Sequence, residues 1–137
     1  MQNTLMFLLI DDDTDDHELF QIALKDADPD ISCLTETNGT RGLEFLRSGA
    51  PLPDCIFLDL NMPMMGGREC LVKLKEDPVL REIPVVICST SSNPNDKTET
   101  LALGAVDFIT KPTRMSEMTN LLYRFISAHL HPQTARG

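Results

Sequence analysis

Short apolar runs recur along the chain, and each stops at a polar cluster. Leu5-Met6-Phe7-Leu8-Leu9-Ile10 runs into Asp11-Asp12-Asp13, Cys55-Ile56-Phe57-Leu58 into Asp59, Val85-Val86-Ile87-Cys88 into Ser89-Thr90, and Val106-Asp107-Phe108-Ile109 into the Lys111-Pro112 region. Runs this short, apolar at successive rather than alternate positions, predict strands buried on both faces. Ile31-Ser32-Cys33-Leu34-Thr35 is more mixed and suits an edge strand.

Between the runs the apolar spacing changes to three and four. Leu19, Phe20, Ala23, Leu24 and Ala27 predict a helix over Thr14–Ala27, and Leu43 and Leu46 predict another over Gly39–Arg47, broken by Gly49 and Pro51. Cys70, Leu71 and Leu74 mark the inward face of a third that runs to about Asp77-Pro78, and Met115, Met118, Leu122, Phe125 and Ile126 mark the last. A fourth has end signals instead of a strong stripe: Asn93 as cap, Pro94 at the first position and Gly104 as the stop. Its body, Asn95-Asp96-Lys97-Thr98-Glu99-Thr100, offers little to bury, which predicts weak anchoring and mobility.

Five strand and helix pairs joined by short links predict an α/β fold with a parallel sheet covered on both faces, and the doubly wound (βα)5 arrangement expected is flavodoxin-like, of order 2-1-3-4-5. The expected domain covers residues 1–131, with a frayed polar tail at 132–137. In that order the ligand crevice lies at the carboxyl edge between strands one and three. Those strands end in Asp11-Asp12 and Asp59.

Composition narrows the function. The 137 residues carry 12 basic and 21 acidic side chains, a net charge of −9, which argues against nonspecific nucleic-acid or anionic-membrane binding. Cys33, Cys55, Cys70 and Cys88 are irregularly spaced, lack a Cys-x-x-Cys pair and share no ligand pattern with His17, His129 or His131. They read as reduced core thiols, not a zinc site. No apolar run is long enough to span a bilayer, and too little chain precedes the first acid cluster for a secretory signal, so a cytoplasmic location is expected.

Clustered carboxylates repel unless a cation neutralises them or some are protonated. Magnesium, a hard ion that takes oxygen ligands and retains waters, suits such a cluster together with a main-chain carbonyl from the turn after Asp59. A nucleophilic carboxylate, a divalent ion, an ammonium and a hydroxyl suffice for phosphoryl transfer; Asp59, magnesium, Lys111 and Ser89 would supply them. Taken singly, these residues have plainer readings. Asp13 or Thr14 caps the first helix, Asp15 and Asp16 complement its dipole, Lys111 is a surface charge, and Ser89-Thr90-Ser91-Ser92 is a polar loop. Their convergence at one sheet edge favours chemistry.

The segments Leu8-Leu9-Ile10-Asp11-Asp12-Asp13, Leu58-Asp59-Leu60-Asn61-Met62-Pro63-Met64-Met65-Gly66-Gly67, Val86-Ile87-Cys88-Ser89-Thr90 and Phe108-Ile109-Thr110-Lys111-Pro112 together resemble the CheY-like receiver domain of two-component response regulators, over nearly the whole chain. The resemblance implies that Asp59 accepts a phosphoryl group from a sensor histidine kinase or a histidine phosphotransfer protein. It implies Mg2+ held by Asp12, Asp59 and the Asn61 carbonyl, with Asp11 acting largely through water. Ser89 would move to hydrogen-bond the phosphoryl group, Lys111 would pair with another of its oxygens, and Phe108 would be the aromatic switch. A cis Lys111–Pro112 bond is also implied. Thr90 departs from the small residue often found beside the switch hydroxyl, and Phe108 lacks a tyrosine hydroxyl. Asp15-Asp16-His17-Glu18-Leu19-Phe20 and Ser91-Ser92-Asn93-Pro94 resemble small stand-alone receivers that serve phytochrome-type or hybrid kinases. Such a protein, a monomer or weak homodimer, would act on another protein through its fourth helix, fifth strand and fifth helix.

Two alternatives stand beside this. Ile10-Asp11-Asp12-Asp13-Thr14 also resembles the loop of haloacid-dehalogenase-type phosphatases, with Asp11 as nucleophile and Asp13 as acid/base, although that fold uses a longer chain and a later acidic pair. A docking module that works without phosphorylation is the other. Ser91 and Asn61 are expected to flank the approach of an attacking water and to tune dephosphorylation.

Overall fold

Parallel pairing places β1, Met6–Ile10, between β2, Ser32–Glu36, and β3, Cys55–Leu58. The computed structural model describes residues 4–130, and its remaining strands are β4, Val85–Ser89, and β5, Asp107–Thr110. All four pairings are parallel and the order is the expected β2-β1-β3-β4-β5. Helices α1, Thr14–Ala27, α2, Gly39–Leu46, α3, Gly67–Glu76, α4, Pro94–Ala102, and α5, Met115–His129, alternate with the strands.

Two apolar layers sandwich the sheet because adjacent strand residues face opposite ways. Leu8, Ile10, Ile56, Leu58, Val85 and Ile87 pack with Leu43 and Leu46 of α2 and Cys70, Leu71 and Leu74 of α3. On the other face Phe7, Leu9, Phe57, Val86 and Cys88 meet Phe20, Ala23 and Leu24 of α1 and Leu122, Phe125 and Ile126 of α5. Phe57 anchors this layer, its ring centroid 5.2 Å from Phe7, 5.0 Å from Phe20 and 5.6 Å from Phe125, distances at which tilted aromatic pairs attract.

Register carries these layers to the site. Ile10 lies level with Leu58, so Asp11 and Asp59 leave the sheet side by side, and the Asp59 amide donates to the Ile10 carbonyl at 2.8 Å. Ser89 lies level with Thr110, and the Lys111 amide donates to the Ser89 carbonyl at 2.7 Å.

Several boundaries differ from expectation. β2 runs Ser32–Glu36 instead of starting at Ile31, and β5 starts at Asp107, where its pairing with β4 begins, instead of at Val106, which is 45% exposed. A 3₁₀ turn at Leu80–Glu82 is too short to leave a periodic signal. No peptide bond is cis among the described residues, so the implied cis Lys111–Pro112 bond is corrected to trans. The Lys111 ammonium reaches the acids from the trans geometry.

α4 buries only Thr100 fully, in line with its polar sequence. It is nevertheless held, because Arg68 of α3 donates to Asp96 and, at 2.7 and 3.0 Å, to Glu99. The cysteines are free; Cys55, Cys70 and Cys88 are buried and Cys33 partly so. Burial pushes the thiols of Cys33 and Cys88 up to about 12 and of Cys70 to about 11, which leaves them protonated and inert at neutral pH. No described helix is long and apolar enough to cross a membrane. The expected domain end at 131 and the tail at 132–137 lie outside the described residues.

Candidate functional site

Asp11, Asp12 and Asp59 each present a carboxylate oxygen, and these lie within 4.8 Å of one another. Asp11 is 1% and Asp59 6% exposed, whereas Asp12 is open to solvent. Asp11 is fixed locally: its Oδ1 accepts the Asp13 amide at 2.9 Å. Its carbonyl meets His17 Nε2 of α1 at 2.5 Å.

Lys111 bridges the cluster. Its Nζ donates to Asp11 Oδ2 at 2.8 Å and Asp16 Oδ2 at 2.7 Å, and lies 3.3 Å from Asp59 Oδ1. Burial works against the Lys111 charge, but hydrogen bonds to Asp11 and Asp16 and the charges of Asp11 and Asp59 outweigh it, so the ammonium is held above its ordinary value. Burial raises the Asp59 carboxyl from 3.8 to about 6, against Lys111 and with help from Asp11 and Asp12. Asp11 is raised as well, chiefly by burial, with Lys111 opposing. Both carboxyls are therefore strained toward their neutral forms in the absence of a further cation.

The remaining expected residues lie around this centre. Ser89 is fully buried at the end of β4, and its Oγ accepts the Ser91 amide at 3.1 Å. The Ser91 hydroxyl in turn donates to Asp96 of α4, and Thr110 Oγ1 donates to the Ser91 carbonyl at 3.4 Å. Phe108 is half-buried against the layer under α2 and α3. Asn61 is exposed, in the loop between Asp59 and α3. Gly67 lets α3 start against that loop: a Cβ there would stand 2.4 Å from the Asp59 carbonyl oxygen.

Two acids sort differently from their neighbours. Asp13 is the N-cap of α1, its Oδ1 accepting the Asp15 amide at 2.9 Å. That engages one oxygen of the carboxylate a phosphatase would need as acid/base. Asp16, expected only to complement the helix dipole, instead grips Lys111. The available signal was its spacing, since Asp16 stands four residues before the buried Phe20 and so shares the inward face of α1.

Fold and site together define a doubly wound α/β protein with an acidic, lysine-bridged pocket at the switch point of its sheet. The chain belongs to the response regulator receiver family, whose sequence model, the response regulator receiver domain, matches residues 7–123. It is 31% identical to response regulator Rcp1 of Synechocystis sp. over 85% of this chain and 83% of that protein. It is 35% identical to the two-component response regulator ARR17 of Arabidopsis thaliana, over 88% of this chain and 84% of that one. The crystal structure of the phosphorylated cyanobacterial phytochrome response regulator RcpA superposes with a TM-score of 0.86 at 32% identity, covering 95% of this chain and 96% of the other. The Mn2+-bound form of Rcp1 superposes at 0.81 with 30% identity, covering 93% and 95%. The acid cluster of this chain is of the kind that holds a divalent metal in receivers.

Proposed function

We propose that this receiver accepts a phosphoryl group on Asp59 from a sensor histidine kinase or histidine phosphotransfer protein and signals by changing its affinity for another protein. The supporting observation is the position of Asp59: a buried carboxylate beside Asp11, with the Lys111 ammonium 3.3 Å away. A carboxylate oxygen of Asp59 attacks the phosphorus of a phosphohistidine. The new O–P bond forms as the N–P bond breaks, and the departing imidazole nitrogen keeps the electron pair. Lys111 meets the charge on the transferred phosphoryl oxygens.

The donor set fits Mg2+, being all oxygen and mostly carboxylate. Asp12, Asp59 and the Asn61 carbonyl would hold it, with Asp11 through water. When bound it supplies charge neutralisation for both the carboxylates and the phosphoryl group. Ser89 then turns its hydroxyl to the phosphoryl group and gives up its bond from the Ser91 amide. Because Ser91 also contacts Asp96, the loss reaches α4 directly, and Phe108 moves into the space that Ser89 leaves. Ser91 and Asn61 flank the water path and tune hydrolysis. The protein works in the cytoplasm as a monomer or weak homodimer.

Intact mass after incubation with acetyl phosphate tests this. The wild type should gain a single phosphate only with Mg2+ present, and Asp59→Asn none. No adduct under any condition would favour a docking module that works without phosphorylation.

A further inference from the structure

Lys111 has one more acidic neighbour than the proposed reaction uses. Asp11 and Asp59 have tasks of their own, as cation ligand and nucleophile. Asp16 has none, yet at 2.7 Å it is as near to the Lys111 Nζ as Asp11 is at 2.8 Å. The pair differs from an ordinary surface bridge, since the Lys111 side chain is 14% and the Asp16 side chain 31% exposed. Nor is Asp16 free to follow Lys111 elsewhere. It lies in the first turn of α1, a helix fixed in the core through Phe20, Ala23 and Leu24.

An ammonium has three protons. Two are engaged by Asp11 and Asp16, and Asp59 is the nearest acceptor for the third. An ammonium that turns toward a phosphoryl oxygen can release Asp16 without disturbing either the cation ligand or the nucleophile. Charge counting points the same way. Asp11, Asp12, Asp16 and Asp59 face one ammonium, a formal sum of −3, which a divalent cation brings to −1. Without Asp16 the sums would be −2 and zero.

Building on the phosphoacceptor reading, we propose that Asp16 is a positioning residue. It holds the Lys111 ammonium toward α1 before phosphorylation and sets the charge of the site, favouring the divalent cation and opposing entry of the phosphoryl dianion.

The test uses the whole chain as wild type, Asp16→Asn and Asp16→Glu. Calorimetry gives the Mg2+ dissociation constant of the unphosphorylated protein, and intact mass gives the rate of phosphorylation against acetyl phosphate concentration at saturating Mg2+. One charge at this distance, partly screened by solvent, predicts changes of about three- to tenfold. Asp16→Asn should weaken Mg2+ binding by that factor and raise the second-order rate constant for the donor by a similar one. Asp16→Glu, which restores the charge, should return both toward wild type.

Opposite movement of the Mg2+ affinity and the phosphorylation rate is the signature, because a structural defect lowers both. If both fall together, or neither moves, the proposal is overturned. Should the wild type take no phosphate, the phosphoacceptor reading fails, and an unchanged Mg2+ constant in Asp16→Asn would overturn the role of Asp16 separately.

Discussion

Replacing Asp59 by asparagine should stabilise the metal-free protein, although it removes the residue on which the proposed function depends. The folded structure raises the Asp59 carboxyl from 3.8 to about 6, through burial first, then the charges of Asp11 and Asp12, with Lys111 opposing. A carboxyl that binds its proton more tightly when folded than when unfolded contributes stability that is full below pH 3.8. That contribution is lost as pH rises through about 6. At 1.36 kcal/mol per pH unit, the loss by neutral pH comes to about 3 kcal/mol. Asparagine keeps the shape and cannot ionise, so it escapes this loss while giving up an ion pair already counted within it. The expected gain at pH 7.5 in a chelator is about 1–3 kcal/mol, or a rise in Tm of roughly 3–10 °C for a domain of this size. Thermal and urea unfolding followed by circular dichroism measure it. The gap between the two proteins should narrow at pH 4.5, where the wild-type carboxyl is protonated in the fold. It should narrow again in Mg2+, which binds the wild-type fold and stabilises it by mass action. An Asp59→Asn protein less stable than wild type at pH 7.5 in chelator would refute the reasoning, since the carboxylate would then be under no charge strain.

Phosphorylation by acetyl phosphate at low Mg2+ should slow as pH falls through about 6, the region in which Asp59 takes up its proton. Saturating Mg2+ should move the break to lower pH; a flat profile from pH 7 to pH 5 at low Mg2+ would contradict the assignment. Arg68→Ala should release α4, because Asp96 and Glu99 lose their shared partner. Hydrogen exchange should quicken in Pro94–Ala102 and stay unchanged in β1 and β3, and unchanged protection in α4 would show that the tether is idle. Gly67→Ala should cost roughly 2 kcal/mol or more, because its Cβ would stand 2.4 Å from the Asp59 carbonyl oxygen and 2.7 Å from the Leu60 Cα. Urea unfolding checks the loss, and a neutral effect would mean that the loop yields freely.

Much of this site was legible because backbone register transmits local pattern into tertiary position. Once Leu5–Ile10 and Cys55–Leu58 read as neighbouring parallel strands, the acids that follow them had to emerge together, and Asp11 and Asp59 do. Lys111 followed from the same logic applied to the last strand. Asp16 was not legible in the same way. An acid in a first helical turn satisfies the dipole wherever it points, so composition conceals its contact with Lys111, and only the four-residue spacing to Phe20 marks its inward face. The Arg68 tether was hidden for a different reason, since a charge pair between α3 and α4 leaves no periodicity in either segment. The polar character of α4 did forecast its thin apolar contact, Thr100 alone being fully buried there. It could not show that Arg68 of α3 reaches Asp96 and Glu99. Strand ends moved by a residue at Val106 and Ile31 because edge pairing, not hydropathy, decides where a ladder begins.

The most direct test of the account is to locate the phosphoryl group chemically. Hydride reduction of an aspartyl phosphate releases phosphate and converts that aspartate into homoserine, which peptide mass spectrometry can place in the sequence. After incubation with acetyl phosphate and Mg2+, homoserine should appear at position 59 and nowhere else, and be absent when Mg2+ is chelated. Homoserine at position 11, or at no position in a protein that remains folded, would contradict Asp59 as the phosphoacceptor.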